Sequence, residues 1–382
     1  MLKIASFNAN SMVKKITEIN IYMIQKKIDL MCIQETWINP KSYIPTIPDY
    51  TWISTQPTFK KGSGVGIYIK ENLKYKLLEI KQIQDMIEFV AVSVETNQGK
   101  LSVVCVYIHP QAHPSCLEIL SNLNLNNVVL CGDFNAHHPK WSLGTTNRLG
   151  KEIISFCSEN NLTVLVEKDS SSHQNRKTRK LNSPDFFMVS REFNDSTVKT
   201  EADLGSDHLP IEITVEIKVT KKKLVLTDRW ILNKLNQDKF NLTLEEKLKK
   251  WLIEFKDHYS TESAYSAWTN TLLESFESSC PKNKKKTSFH GSYWWNDTCS
   301  EAVNKRRNLR RKFQRSRSMK SLLEYRKQHS VTKRIIKEAK KEFWGTFYKK
   351  CDLNDAFKIL KTFRKKHRTA RNRYPTKRNS GN

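Results

Sequence analysis

Short apolar runs of strand length follow one another through the first 219 residues with few helical stretches between them, and that rhythm stops at Thr220-Lys-Lys-Lys. Residues 2–7 and 28–33 read as strands. Between them Met12, Ile16, Ile19, Met23 and Ile24 recur at helical spacing up to about Lys27, with Asn10 or Ser11 placed as the cap. A short β-α-β unit implies parallel neighbours whose ends emerge at one sheet edge, so residues following the two strands share a site. Further strands are expected over 65–69, 75–80, 87–94, 101–108, 128–131, 163–166, 185–189 and 211–219, with other helices near 114–123 and 148–159. Strands in succession predict packed sheets with helices outside, and not a barrel of β-α units. Past residue 220 the pattern is helical over 236–278 and 298–349, the latter as one long basic helix or a helix pair. From about Lys361, low apolar content with dense Lys and Arg predicts disorder. The expected organisation is a domain over 1–219, a basic helical region over 220–360 and a disordered basic tail over 361–382.

Charge follows the same division. Residues 1–219 hold 24 Lys+Arg against 23 Asp+Glu and the remainder 42 against 16, so the formal net charge of +27 splits into +1 and +26. A nearly neutral globular part joined to a strongly basic part fits a catalytic unit with a polyanion-binding arm. The eight cysteines include no Cys-x-x-Cys pair and no Cys/His cluster at zinc spacing, and Cys105 and Cys131 lie in apolar runs, which predicts buried free thiols in a reducing compartment. No stretch has the length and apolarity of a membrane span, and the N-terminus runs into a strand without a signal-like segment, so an intracellular protein of nucleus and cytoplasm, with no membrane partner, is expected.

Several of the strand runs stop abruptly at polar residues: Phe7-Asn8, Gln34-Glu35-Thr36-Trp37, Tyr107-Ile108-His109-Pro110, Gly132-Asp133-Phe134-Asn135 and Gly205-Ser206-Asp207-His208. Asp185, in Ser183-Pro184-Asp185-Phe186-Phe187, opens a further apolar strand. Singly these residues read as turn formers, caps or surface groups. Together they supply hard oxygen donors for Mg²⁺ or Mn²⁺, an Asp to position a water, and a His with an acidic partner to meet an anionic transition state, an inventory suited to phosphodiester hydrolysis without a thiol or serine nucleophile or a small-molecule cofactor.

In this order, Phe-Asn, Gln-Glu-Thr-Trp, Gly-Asp-Phe-Asn-Ala, Pro-Asp-Phe-Phe and Gly-Ser-Asp-His-Leu-Pro resemble the endonuclease-exonuclease-phosphatase superfamily, and within it the apurinic-endonuclease-like domain of non-LTR retrotransposons. The resemblance spans residues 2 to about 219. It implies an α/β fold, a four-layer sandwich of two packed β-sheets flanked by helices, here with a basic α-helical C-terminal extension. It further implies Glu35 as principal metal ligand with Asn8 beside it, Asp207 as an additional acid near the metal, Asp133 orienting or deprotonating the water, and Asn135 steadying the phosphate. By the same resemblance Tyr107 touches the scissile phosphate, His208 binds its oxygen, Asp185 polarises His208, and Ser206 is the small residue before the last acid, on the nucleic-acid side. Cellular apurinic endonucleases carry an acid two residues after the first Asn. Asn10 stands there in this chain, which points away from dedicated abasic-site repair.

Tyr293-Trp294-Trp295-Asn296 followed by Arg306, Arg307, Arg310, Arg311, Lys312, Arg315 and Arg317 resembles, more loosely, the linker after such endonuclease domains. Arginines three and four apart line one helix face and are expected to track phosphates of the DNA target or of element RNA, while the aromatics stack on bases or anchor the segment. Residues 220–382 hold no Tyr/Phe-x-Asp-Asp polymerase signature, which leaves a fragment, a truncated copy and a domesticated derivative open. The function implied is Mg²⁺-dependent DNA nicking that leaves a 3′-hydroxyl for target-primed reverse transcription. The alternatives are a lipid or inositol phosphatase of the same fold, or an inactive nucleic-acid-binding derivative.

Overall fold

In chain order the first elements are β1 (Leu2–Asn8), α1 (Ile16–Lys26), β2 (Leu30–Gln34), β3 (Tyr50–Ser54), β4 (Gly66–Lys70), β5 (Tyr75–Ile83), β6 (Ile87–Thr96) and β7 (Gly99–Ile108). They continue with α2 (Glu118–Ser121), β8 (Val128–Asp133), α3 (Arg148–Glu159), β9 (Leu162–Leu165), β10 (His173–Gln174), β11 (Leu181–Asn182), β12 (Asp185–Ser190), β13 (Thr197–Thr200) and β14 (Ile211–Val215). The computed structural model describes residues 1–42, 44–142, 146–168, 170–174, 181–201, 203–221, 229–254, 261–283 and 294–350. Two six-stranded sheets form, in the orders β13-β14-β1-β2-β4-β3 and β5-β6-β7-β8-β12-β9. The parallel pairs are β1 with β2 and β7 with β8, one in each sheet.

Period-two alternation sorts the side chains into layers. Leu2 and Ile4 of β1, Leu30 and Cys32 of β2, Val103 and Cys105 of β7, Val129 and Cys131 of β8, and Phe187 and Val189 of β12 share one buried cluster between the sheets. The alternate residues of each strand go outward. Ala5, Phe7, Met31 and Ile33 pack with Ile19 and Met23 of α1, while Val104, Leu130, Phe186 and Met188 pack with Leu120 of α2 and Ile153 of α3. Helix, sheet, sheet, helix is thus the layer order, the expected four-layer α/β sandwich. Strands covered on both faces read as continuous apolar runs, as β8 and β12 do.

The local differences from expectation have physical reasons. Asn10 and Ser11 do not cap α1, because both hold left-handed φ angles (41° and 80°) and Ser11 N–H donates to the Glu35 carbonyl, extending the β1–β2 pairing past the strands. The helix begins four residues further on. The half-exposed edge strands β3 and β13 lack the apolar density that marks the inner ones. No helix among the described residues is long and apolar enough to cross a membrane, and Cys32, Cys105, Cys116, Cys131, Cys157, Cys280 and Cys299 are buried free thiols. The basic tail expected over 361–382 lies outside the described residues.

The chain divides into two units, Met1–Lys222 with His290–Asn382, and Lys223–Phe289. The second holds β15 (Arg229–Trp230), α4 (Gln237–Glu254), α5 (Thr261–Ser279) and β16 (Lys282–Asn283), with Phe240 and Phe276 ring centroids 4.7 Å apart between α4 and α5. The first unit regains the chain at α6 (Asp297–Ser316) and α7 (Met319–Lys350). Asn296 caps α6 by accepting from Cys299 N–H, and a left-handed Arg317 ends it and turns the chain into α7, making the expected helix pair. The expected region 220–360 therefore separates near residue 290, its later helices grouping with the sandwich.

Candidate active site

The layering that builds the inter-sheet core also delivers the polar residues. Asn8 continues the parity of Leu2 and Ile4, Gln34 that of Leu30 and Cys32, Tyr107 that of Val103 and Cys105, and Asp133 that of Val129 and Cys131. Asp185 has the parity of Phe187 and Val189, and it opens β12 antiparallel to β8, directly opposite Asp133. Asn8 pairs with Gln34, and Tyr107 with Asp133, in the parallel registers. The inward faces of both sheets thus turn polar at one shared edge.

Asn8 joins the sheets there. Its side-chain amide donates to Glu35 Oε1 and to Asp133 Oδ2, each at 2.8 Å. Glu35 also accepts from Tyr107 Oη at 3.3 Å and from Trp37 Nε1 at 3.2 Å. Asp133 Oδ1 accepts from the Asn135 backbone N–H, and the Asn135 amide donates to the Ile108 carbonyl. Glu35, Trp37 and Asn135 hold φ of 48°, 52° and 49°. For Glu and Trp that conformation costs about 1–2 kcal/mol each. Strain of this kind persists where surrounding bonds over-determine it and gathers at functional sites. Gly132 is required by close approach, since a Cβ there would lie 1.7 Å from the Val106 carbonyl oxygen.

His208 lies across from Asp133. Its Nδ1 is 2.8 Å from Asp185 Oδ2 and its Nε2 is 3.8 Å from Asp133 Oδ2. Ser172 Oγ donates to the same Asp185 oxygen at 2.6 Å, and the His173 ring lies 4.3 Å from that of His208. Burial opposes a charge on His208, but Asp185 first, then Asp133 and Asp207, outweigh it and raise its pKa to about 10. Burial, with Asp185 adding, raises Asp133 to about 7, and burial beside Glu35 keeps the Tyr107 phenol protonated. Asp207 Oδ1 accepts from the Asn10 amide, and Ser206 Oγ donates to the Asn8 carbonyl. Asn8, Asp133, Asp185 and His208 make a buried floor, and Glu35, Asn135 and Asp207 a half-buried rim.

Asp133, Asp185 and His208 offer ligand atoms within 4.8 Å of one another. A metal-bound histidine must be neutral, whereas this one pairs with Asp185 and favours its charged form, so the trio fits an acid–His–acid relay better than a metal cage. The surplus of carboxylates nevertheless fits a divalent cation. Asp133 is pushed up by burial and by Asp185 beside it, and Asp185 Oδ1 is buried with no hydrogen-bond partner among the described residues. Glu35, Asn8 and Asp207 present the hard oxygens such an ion takes.

Some participants carried no sequence signal. Glu88 shares the inward parity of Val90 and Val92, pairs in register with Tyr107 and accepts from Ser63 Oγ at 2.6 Å and Gly64 N–H at 2.9 Å. Its parity was legible, but its place at the start of β6 was not marked by a motif. Ser172 lies in a loop and His173 opens the two-residue strand β10, in a stretch with no periodicity.

Two of the expected DNA contacts are buried. Arg306 and Arg310 are 1% and 5% exposed, because their four-residue spacing puts both on the α6 face turned toward Glu18 and Asp203. Arg307 is half-buried, its Nε donating to the Asp203 carbonyl, while Arg311 is exposed. Tyr293 lies outside the described residues. Trp294 and Trp295 are half-buried, and Trp295 Nε1 donates to Ser300 Oγ, an anchor at the start of α6.

Residues 101–212 match the family model described as "Endonuclease-reverse transcriptase". The chain is 23% identical over 288 residues to the RNA-directed DNA polymerase from mobile element jockey of Drosophila melanogaster, covering 74% of this chain and 31% of that protein. It is 22% identical over 228 residues to the probable RNA-directed DNA polymerase from transposon BS of the same organism, covering 57% and 25%. This chain thus spans about a quarter to a third of the length of those relatives. Among solved structures, the endonuclease domain of TRAS1, a telomere-specific non-LTR retrotransposon, aligns with a TM-score of 0.48 at 16% identity, over 56% of this chain and 97% of that one. The apurinic endonuclease LMAP from Leishmania major aligns with a TM-score of 0.44 at 13% identity, over 56% and 86%. The resemblance to retroelement nucleases of the endonuclease-exonuclease-phosphatase type, read from the motifs, holds.

Proposed function

We propose that the chain is a divalent-metal-dependent DNA endonuclease that hydrolyses one phosphodiester and leaves a 3′-hydroxyl from which a retroelement primes reverse transcription. The observation that carries this reading is the Asn8 amide joining Glu35 to Asp133 across the sheets, with the Asp185–His208 pair facing Asp133. Glu35, with Asn8 and Asp207, would hold the ion, which when bound supplies positive charge to a phosphate oxygen. Asp133, fixed through both oxygens and with its pKa near neutrality, takes the proton of the attacking water. His208, kept charged by Asp185, donates from Nε2 to a non-bridging oxygen as negative charge builds there. The new bond joins water oxygen to phosphorus, the bond to the 3′ oxygen breaks, and that oxygen takes a proton from solvent. Tyr107 and Asn135 border the same space and orient the phosphate.

The experiment is nicking of supercoiled plasmid by the full chain and by Glu35→Ala, with Mg²⁺ and with EDTA. Nicking that needs Mg²⁺ and is lost in the variant supports the reading. DNA binding without nicking by either protein overturns it.

A further inference from the structure

Beyond the sandwich, α6 reaches the loop that carries Ser206, Asp207 and His208, and it does so with buried charge. Arg306 pairs with Glu18 of α1 through two contacts, Nη2 to Oε2 at 2.6 Å and Nη1 to Oε1 at 3.3 Å, and its Nε lies 2.9 Å from Asp203 Oδ2. Arg310 Nη1 contacts Asp203 Oδ1 at 3.1 Å. Burial opposes ionisation of Asp203, but Arg306 and Arg310 outweigh it and hold its pKa below the usual carboxylate value.

The same guanidinium groups also serve the loop backbone. Arg306 Nη2 donates to the Asp203 carbonyl at 3.2 Å, Arg310 Nη1 to the Ser206 carbonyl at 2.8 Å and Arg310 Nη2 to the Asp207 carbonyl at 3.0 Å. Gly205, at φ 85°, makes the turn between them, and its N–H donates to Asp203 Oδ1. From α7, Tyr325 Oη lies 3.4 Å from both Arg310 Nη1 and Asp203 Oδ2. On its other side the loop is held by Asn10 at Asp207 and by the Asn8 carbonyl at Ser206.

Resting on the endonuclease reading, we infer that Arg306 and Arg310 are positioning residues of the active site: α6 and α7 complete the nuclease by fixing the Asp203–His208 loop. Two features favour this over simple docking of a helix pair. Docking could be achieved with apolar contacts such as Phe313, at no desolvation cost, whereas a buried guanidinium is justified where its fork satisfies several carbonyls at once. Moreover, the carbonyls of Ser206 and Asp207 immediately precede His208, so their placement sets where its imidazole meets Asp133 and Asp185. A displacement of about 1 Å at a reacting group costs about 10²-fold in rate.

The test uses the full chain and Arg310→Gln, with nicking of bound DNA measured at saturating protein, the Kd for duplex as a function of salt, and the downfield NMR signal of the His208 Nδ1 proton shared with Asp185. The expected result is a fall in nicking of about 10-fold to 10²-fold at unchanged Kd and salt slope, with the ring-proton signal shifted or broadened. A weaker Kd or flatter salt slope with the bound-state rate unchanged would make Arg310 a DNA contact and overturn the inference. A lower melting temperature with rate and ring proton both unchanged would reduce it to structural support and overturn it equally. If Arg310→Gln does not fold, Tyr325→Phe removes a single hydroxyl from the same network and is read by the same criteria, with a smaller rate loss expected. Should the parent chain fail to nick at all, the endonuclease reading falls, while the ring-proton comparison still decides whether α6 positions His208.

Discussion

Two buried charge clusters flank the Asp203–His208 loop, and they are built on opposite terms. At Asp133, Asp185 and His208 the carboxylates outnumber the cation, and Asp133 is raised to about 7. At Glu18, Asp203, Arg306 and Arg310 two acids meet two bases, and Asp203 is held as a carboxylate. Charge left uncompensated inside a protein is costly, so the balanced cluster stabilises its loop and the unbalanced one, on the proposed endonuclease reading, is ready for an incoming cation and phosphate. The contrast separates groups that act from groups that hold.

The sharpest way to break the contrast is to remove the base from each cluster. His208→Ala is expected to lower nicking on bound DNA by about 10²- to 10⁴-fold, on the scale of a positioned donor, and to cost less stability than Arg306→Ala, because Asp133, already raised to about 7, can take up a proton in place of the lost charge. Arg306→Ala strands Glu18 and leaves Asp203 with Arg310 as its remaining cation, and is expected to cost about 3–5 kcal/mol, read as a fall in the urea midpoint. If His208→Ala destabilises as much as Arg306→Ala, the two clusters are not different in kind.

Next in size is the response to pH, where the clusters should fail at opposite ends. Asp203 is depressed below 3.8, so its contribution is present above that value and is lost as pH falls through its lower folded pKa. His208 is raised from 6.5 to about 10, so its contribution is complete below 6.5 and is lost as pH rises through about 10; Asp133, raised from 3.8 to about 7, loses its own between those values. Stability against pH measured in urea should therefore keep its acid limb in His208→Ala and lose part of it in Asp203→Asn. An unchanged acid limb in Asp203→Asn would remove the arginine cluster as its source. Mg²⁺ should raise the melting temperature more at pH 8 than at pH 5, because the surplus negative charge is greatest there. A pH-independent Mg²⁺ effect would place the ion elsewhere.

The two clusters were not equally legible in the sequence. The acids of the acid–His cluster could be anticipated because Asp133 ends β8 and Asp185 opens β12, and the parity of Val129, Cys131 and Asp133, or of Phe187 and Asp185, carries inward-facing positions into the site without knowledge of the sheet order. The arginine cluster could not. Glu18 and Arg306 are 288 residues apart, and nothing local distinguishes Arg306 and Arg310, which turn inward, from Arg311, which does not. Asp203 reads as one more loop acid until α6 is placed against it. Helical spacing correctly put Arg306 and Arg310 on one face, but which face meets protein and which meets solvent is a tertiary fact. The edge strands β3 and β13 were missed for a related reason, since half-exposed strands carry too few apolar residues to stand out.

That division within α6 sets the smallest and most specific expectation. Arg311 and Arg315 are exposed beside half-buried Arg307, and with Gln314 and Thr200 they line a cavity of about 260 Å³ next to the Asp203–His208 loop. If this outer face carries the polyanion contact expected of the basic half, Arg311→Ala should weaken duplex binding modestly, reduce the slope of log Kd against log salt by about 1 and leave nicking of bound DNA unchanged. Arg310→Gln should do the reverse. One helix would then serve both the site and the substrate, with the register of its arginines deciding which. A salt slope unaltered by Arg311→Ala would leave α6 with the inner role alone and move the DNA contact elsewhere in the basic half.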